Sequence, residues 1–364
     1  MAQSVSASAQ FAVQAKLNEM FAGDTPVKYQ YRQAYETAKA MLMNNTARTA
    51  PVLVNGRCIG ENVYWTEKGS DTITYNGDGT TPALTIACDL TESEGPTTDS
   101  KQYSDNVRLI AKVEVADDLC DNLYTFQELA AERIMTAIFD IRKALNVKLI
   151  NFLDTNKGAN FDPEHADDVA GDDGITFVSA SNHFTAAGSN FQDPDFLTDI
   201  AALVENNDIE NYFLLSGRWN FYNAFMNSQY HRLNDTERHH MMFDDFNMYF
   251  DSRYLDSTLT GKNTFAVGLG TYAIWNRVWS TPEPVQVKDN SFEYHIIDPE
   301  LMINVGGVLQ PVKYEVYYQK ICTGGDANTR RTFTHRWEVK FLGGIYEAPT
   351  AVTDQTGILK FLQA

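Results

Sequence analysis

The sequence holds few cysteines: Cys58, Cys88, Cys120 and Cys322 lie far apart, and no two of them form a C-x-x-C pair. That argues against a zinc site and against a dense disulfide framework, and a reducing compartment suits the chain best. Long apolar runs are missing too. Nowhere do about 18 uncharged apolar residues follow one another, so no membrane-spanning helix is expected. The opening MAQSVSASAQFAVQ has no basic n-region and no long apolar stretch, so no secretory signal is expected and the chain is read as working in the cytosol. Bases are scarce, with 29 Lys and Arg against 48 Asp and Glu and a net charge of −19. A field of that sign repels nucleic acid, acidic substrates and anionic membranes, which speaks against a DNA-binding module.

Motifs that carry chemistry are also lacking. Gly261-Lys262 is followed by Asn263 and has no glycine five positions before it, so the phosphate-loop pattern fails. Gly268-Leu269-Gly270 has no third glycine and no surrounding βαβ unit, and reads as a tight turn after a strand. There is no G-x-S-x-G elbow. His239, His240, Asp244 and Asp245 lie close together, and His240 with Asp244 would share a face if the segment were helical. No further ligand motif accompanies them, so a solvated polar segment is the better reading. The acidic stretch 162–174, which includes Asp167-Asp168, does not fit the calcium-loop register. Arg330, Arg331, Arg336 and Lys340 with Trp337 could form a nucleic-acid patch. Yet Arg336 and Lys340 share the polar face of a strand, where solvated charges belong, while His335 falls on its apolar face as a core histidine. No catalytic residue, metal site or cofactor is expected.

What the chain does have is length and pattern. Its 364 residues are enough for about two domains, and 43% hydrophobic with 21% charged residues is ordinary for a chain with a sizeable core. Helical pieces are expected at 11–22 and from Lys28 to Met43, separated by Gly23-Asp24-Thr25-Pro26. Residues 66–106 are rich in Thr, Ser, Gly and acids. Strand-like pieces at Ile73–Tyr75 and Ala83–Leu90 flank the turn residues Asn76-Gly77-Asp78-Gly79, which reads as an extended hairpin.

After a strand at Val107–Val115 comes the clearest element. From Phe126 to Lys157 there is no Gly or Pro, and Phe126, Ala130, Ile134, Ile138, Ile141, Leu145, Leu149 and Phe152 recur three or four apart. Thr125 and Glu128 make a capping box at its start, and Gly158 is expected as its C-terminal cap. Asp193-Pro194 opens a further helix bearing Phe196, Leu197, Ile200, Ala201 and Val204. A buried strand follows at Tyr212–Leu215, then an aromatic helix from Trp219 to Tyr230. Strands are expected near Thr264–Val267 and Glu293–Ile297. Long alternating strands at Lys313–Cys322 and Thr332–Phe341 are joined by a turn at Gly324–Asn328.

Taken in order, a loose arm, a long polar hairpin, a very long helix, a mixed α/β middle and closing strands, the chain resembles the major capsid protein of tailed bacteriophages, the fold named after phage Hong Kong ninety-seven. The resemblance implies an α+β fold divided into an N-terminal arm (1–59), an E-loop hairpin (60–106), a P-domain with the spine helix (107–190), an A-domain (191–300) and return strands of the P-domain with the C-terminus (301–364). NYFLLSGRWNFYNAF looks like the strand and helix of the A-domain.

The resemblance further implies a structural, non-enzymatic subunit located in the virion and assembled in the host cytoplasm. Many copies of itself would form pentamers and hexamers that enclose double-stranded DNA without reading its sequence. A separate scaffolding protein, a portal and decoration proteins would be its other partners. Lys68 and Lys101 are the E-loop lysines that could donate to a cross-link. The arm and hairpin have little apolar surface to bury at about 25 cal/mol per Å², and are expected to gain shape only across sister copies. Two rivals stand beside this reading: an encapsulin-type nanocompartment shell, and a carbohydrate-binding β-rich protein suggested by 18 Tyr, 21 Phe and 5 Trp.

Overall fold

The computed structural model describes residues 2–22, 35–54, 57–67, 97–116, 125–159, 175–187, 196–207, 209–217, 240–242, 247–251, 263–324, 332–347 and 356–363. The strand pieces expected at 73–75 and 83–90, the acidic stretch 162–174, Asp193-Pro194, the aromatic helix at 219–230 and the turn residues 325–328 lie outside them.

The chain opens with α1 (Ala2–Phe21) and α2 (Glu36–Met43). Next come β1 (Arg48–Val54), β2 (Arg57–Glu67), β3 (Thr97–Tyr103) and β4 (Val107–Ala116). The long helix α3 (Phe126–Thr155) leads to β5 (Ile175–Val178), β6 (His183–Ala186), α4 (Phe196–Asn206), β7 (Tyr212–Ser216), β8 (His240–Met242) and β9 (Asn247–Phe250). Then follow β10 (Asn263–Gly268), β11 (Tyr272–Asn276), β12 (Val285–Lys288), β13 (Ser291–Val305), β14 (Val308–Gly324), β15 (Thr332–Glu347) and β16 (Ile358–Gln363).

Three sheets result. β1-β2-β3 form a small one, β5-β6-β16-β10-β7-β9-β8 a seven-stranded one, and β11-β15-β14-β13-β12 the main one, with β4 paired to β15. β16 joins the seven-stranded sheet, and Glu293–Ile297, read with the middle of the chain, is part of β13, which pairs with β14 in the main sheet. The main core lies between that sheet and α1, α2 and α3. A second core packs α4, through Phe196, Ile200 and Val204, on the seven-stranded sheet.

The long helix forms as the periodicity predicts. Thr125 accepts from the Glu128 amide at 3.3 Å while the Glu128 carboxylate accepts from the Thr125 amide at 3.0 Å, a complete capping box. Its 30 residues make a rod of about 45 Å. Ile134, Ile138, Ile141, Leu145 and Leu149 are all buried. Its C-terminus differs from expectation: the cap is Asn156, whose side chain donates to the Phe152 carbonyl at 3.0 Å. Gly158 instead donates its N–H to Ile358 of β16, and a Cβ there would lie 2.7 Å from Thr356 Cγ2. The glycine serves a close crossing of chains, not the end of the helix.

The arm also departs from expectation. α1 begins nine residues before the expected start at Phe11 and packs on α3, with Val13 and Leu17 fully buried. The Trp337 indole donates to Gln10 Oε1 at 3.0 Å, so α1 also seals the aromatic cluster of β14 and β15. The expectation that the arm orders only on sister copies is therefore wrong for residues 10–21, because two apolar side chains on one helical face already find a groove on their own chain. Of Lys28 to Met43, the part from Glu36 onward is helical, and 28–34 lies outside the described residues.

The end of α3 is tied to the seven-stranded sheet by charge. Lys360 of β16 reaches Asp154 at 2.6 Å and Lys157 lies 3.2 Å from the same carboxylate. Burial works to raise the Asp154 carboxyl, but the two ammonium groups outweigh it and hold it below its ordinary value. A carboxyl depressed in the folded state adds stability above its unfolded value, and loses that stability as pH falls through the folded value. Asp154→Asn is therefore expected to make the thermal midpoint fall less steeply than in the wild type as pH drops below the ordinary carboxylate value. Parallel curves for the two proteins would refute this role.

Candidate assembly elements

The small sheet β1-β2-β3 stands on the end of the main sheet through one compact root. Val63 of β2 and Ala47 pack on Ala273 and Trp275 of β11. Tyr103, Tyr346 and Trp275 form a stack, with ring centroids 4.2 Å apart for the first pair and 5.7 Å for the second. Burial pushes the Tyr103 hydroxyl above its ordinary value, with help from Tyr346 and Glu347. The Trp275 indole donates to Asp105 at 2.9 Å. The Asn106 side chain donates to the Ile345 carbonyl at 2.8 Å and accepts from its amide at 2.9 Å.

Arg277, just past β11, donates to the Gly60 carbonyl at 2.9 Å, to Glu61 at 2.5 Å and to Asp105 at 3.3 Å. The side chains of Arg277 and Glu61 are each 9% exposed. Where β14 and β15 part beside β11, Asn276 fills the fork. Its amide donates to the Lys313 and Leu342 carbonyls and its carbonyl accepts from the Lys313 N–H.

Beneath the sheet, α3 carries a buried charge. Arg142 lies on the apolar stripe between Ile138 and Leu145 and is 0% exposed, as is Asp298. Its guanidinium holds Asp298 with two donors, one at 2.8 Å, and Glu300 with a third at 2.6 Å. Asp298 sits at the bulge of β13, where its carboxylate also accepts from the Glu300 and Leu301 amides and from the Tyr314 hydroxyl. Burial opposes the charge on Arg142, but the hydrogen bonds and charge of Asp298 win and hold its pKa above the ordinary value. Burial also drives the Tyr35 hydroxyl up, against the pull of Arg142. Nearby, Asp251 accepts from the Thr37 amide and hydroxyl and from Asn146 of α3, which satisfies the start of α2. α2, α3 and both larger sheets are thus joined by buried carboxylates. These groups build geometry; nothing in their arrangement sets a nucleophile against a base.

No family model and no curated protein matches this chain. Among solved structures, similar ones are phage capsids. The capsid structure of cyanophage P-SCSP1u is 11% identical, covers 93% of this chain and 92% of that chain, and gives a TM-score of 0.42. The mature capsid of bacteriophage PhiM1 gives 9%, 94%, 90% and 0.44 in the same order. The capsid of a native GTA particle gives 10%, 93%, 94% and 0.40.

The residues singled out from sequence do not converge. Arg336 pairs with Glu114 across the strands at 2.6 Å, and Lys340 with Glu338 at 3.3 Å, while Trp337 is buried. Each base faces an acid and the aromatic ring points inward, so these three build no nucleic-acid patch; Arg330 and Arg331 lie outside the described residues. His335 is a core histidine, 2.7 Å from the Tyr318 hydroxyl. Gly268-Leu269-Gly270 is the tight turn between β10 and β11, with Gly270 at φ +89°.

His240 lies in a strand, so the helical face it was to share with Asp244 does not exist at that position. Asp244, Asp245, His239, Gly261-Lys262, Asp167-Asp168 and Lys68 lie outside the described residues. Lys101 is exposed on β3, its ammonium 5.5 Å from the centre of the Tyr103 ring. Among the described residues no group of three His, Cys, Asp or Glu could hold a metal, and no helix is long and apolar enough to cross a membrane. Sequence reasoning passed over Arg142 and Arg277. The first had a signal, a charge set within an apolar stripe; the second had none, since its partners are 172 and 216 residues away.

Proposed function

We propose that this chain is the repeating structural subunit of a virus shell of the tailed-phage type, assembling with copies of itself into pentamers and hexamers around double-stranded DNA. The observation that carries the reading is the layout of the chain's own elements. A 30-residue helix lies along a sheet of strands up to 17 residues long, and a separate small sheet stands at one end on a narrow root. That is the layout the resemblance implies. It suits a part that spans and overlaps neighbours better than one that encloses a substrate.

On this reading residues 1–59 are the arm, 60–106 the E-loop, 107–190 the P-domain with the spine helix and 301–364 the return strands and C-terminus, while of 191–300 only the part ahead of β11 belongs to the A-domain, because β11, β12 and β13 lie in the main sheet with the return strands. The subunit is no enzyme and resides in the virion after assembly in the host cytoplasm, with a scaffolding protein, portal and decoration proteins as further partners. Its net charge of −19 would keep the shell from adhering to packaged phosphates.

The test is direct. Concentrated purified protein, alone and with a co-expressed scaffolding protein, is expected to give pentamers, hexamers or closed megadalton particles by light scattering and negative-stain microscopy. A species that stays monomeric under both conditions overturns the reading.

A further inference from the structure

Among the described residues, the small sheet shares no strand pairing with either larger sheet. Its apolar contact with the body, among the described residues, is the small cluster around Val63, Tyr103 and Trp275. A unit attached by so little buried apolar surface separates at a much lower free energy than the body unfolds. The contact nevertheless contains a closed set of charges. Arg277 leaves the body and binds β2 at Gly60 and Glu61 and, at Asp105, the link between β3 and β4, so it ties β2 to the chain that returns to the main sheet. A planar guanidinium held by two carboxylates fixes an angle as well as a separation. All three of these side-chain hydrogen bonds go to the root and none to the main sheet.

We infer that Arg277 is the latch that sets the direction in which the small sheet projects from the body, and that its release frees the sheet to swing as a unit. Its bearing on assembly rests on the shell reading. The latch itself does not, and it is measured on the unassembled chain.

Spin labels on non-natural amino acids at Tyr64 of β2 and Lys288 of β12, both exposed, report the angle. A second pair at Lys112 of β4 and Lys288 reports the main sheet alone. The wild type is expected to give one narrow distance for each pair. Arg277→Met should widen the first distribution by about twofold or more and leave the second unchanged. Arg277→Lys, which keeps the charge but loses the planar fork, should give a first distribution of intermediate width, which a residue acting through charge alone would not do. If Arg277→Met does not fold, Glu61→Gln with Asp105→Asn reads the same latch from the other side. An unchanged first distribution, or equal broadening of both, overturns the inference. Failure to form particles while the expected widths are seen counts against the shell reading alone.

Discussion

Arg142→Met is expected to lower the unfolding free energy by about 3–5 kcal/mol, the cost of stranding a buried partner charge. Asp298 is 0% exposed, so water cannot take the place of the guanidinium that holds it with two donors. Two backbone amides and the Tyr314 hydroxyl would remain, enough to orient the carboxylate but not to balance its charge. Arg142→Met combined with Asp298→Asn should recover part of the loss, because the amide leaves no buried charge behind. Urea denaturation of the single and double variants checks both statements. A loss below about 1 kcal/mol for the single variant would mean the site relaxes or admits water.

Gly344→Ala is expected to cost about 2–3 kcal/mol by overpacking. Gly344 lies opposite Trp275 in the β11–β15 register, and a Cβ there would fall 2.2 Å from Trp275 Cζ2 and 2.6 Å from two further ring atoms. The indole cannot yield cheaply, because it stacks on Tyr346 and donates to Asp105. Its displacement should lower the urea midpoint and shift indole emission to the red as Trp275 gains water. Unchanged emission with an unchanged midpoint would show that the strand, not the ring, gives way at little cost.

What was legible in the sequence follows from how local each signal is. α3 could be read because its cap and its stripe lie within one segment, and β7 because five consecutive buried residues have few alternatives. The end of α3 was misplaced by two residues, since Gly158 is dictated by Thr356, some 200 positions away. α1 was read too short because Ser-Val-Ser-Ala-Ser-Ala has no apolar stripe, and the seat of Val13 and Leu17 exists only once α3 and the main sheet have met. The root of the small sheet was invisible for the same reason: Glu61, Asp105 and Arg277 are unremarkable alone and meaningful only together. Sequence patterns show which faces are apolar, but not which distant carboxylate a buried arginine will find.

The outward rows of the main sheet have one more consequence. Lys112 faces Glu338, Arg336 faces Glu114, and Lys340 shares Glu338, so three cations and two carboxylates lie side by side within ion-pair distance. The excess of acid that gives the molecule its −19 must therefore reside elsewhere on its surface. With three cations to two carboxylates this row carries a small positive excess on a strongly acidic molecule, so it does not share in the repulsion that the surplus carboxylates exert between like molecules, and it would feel dilute salt with the opposite sign.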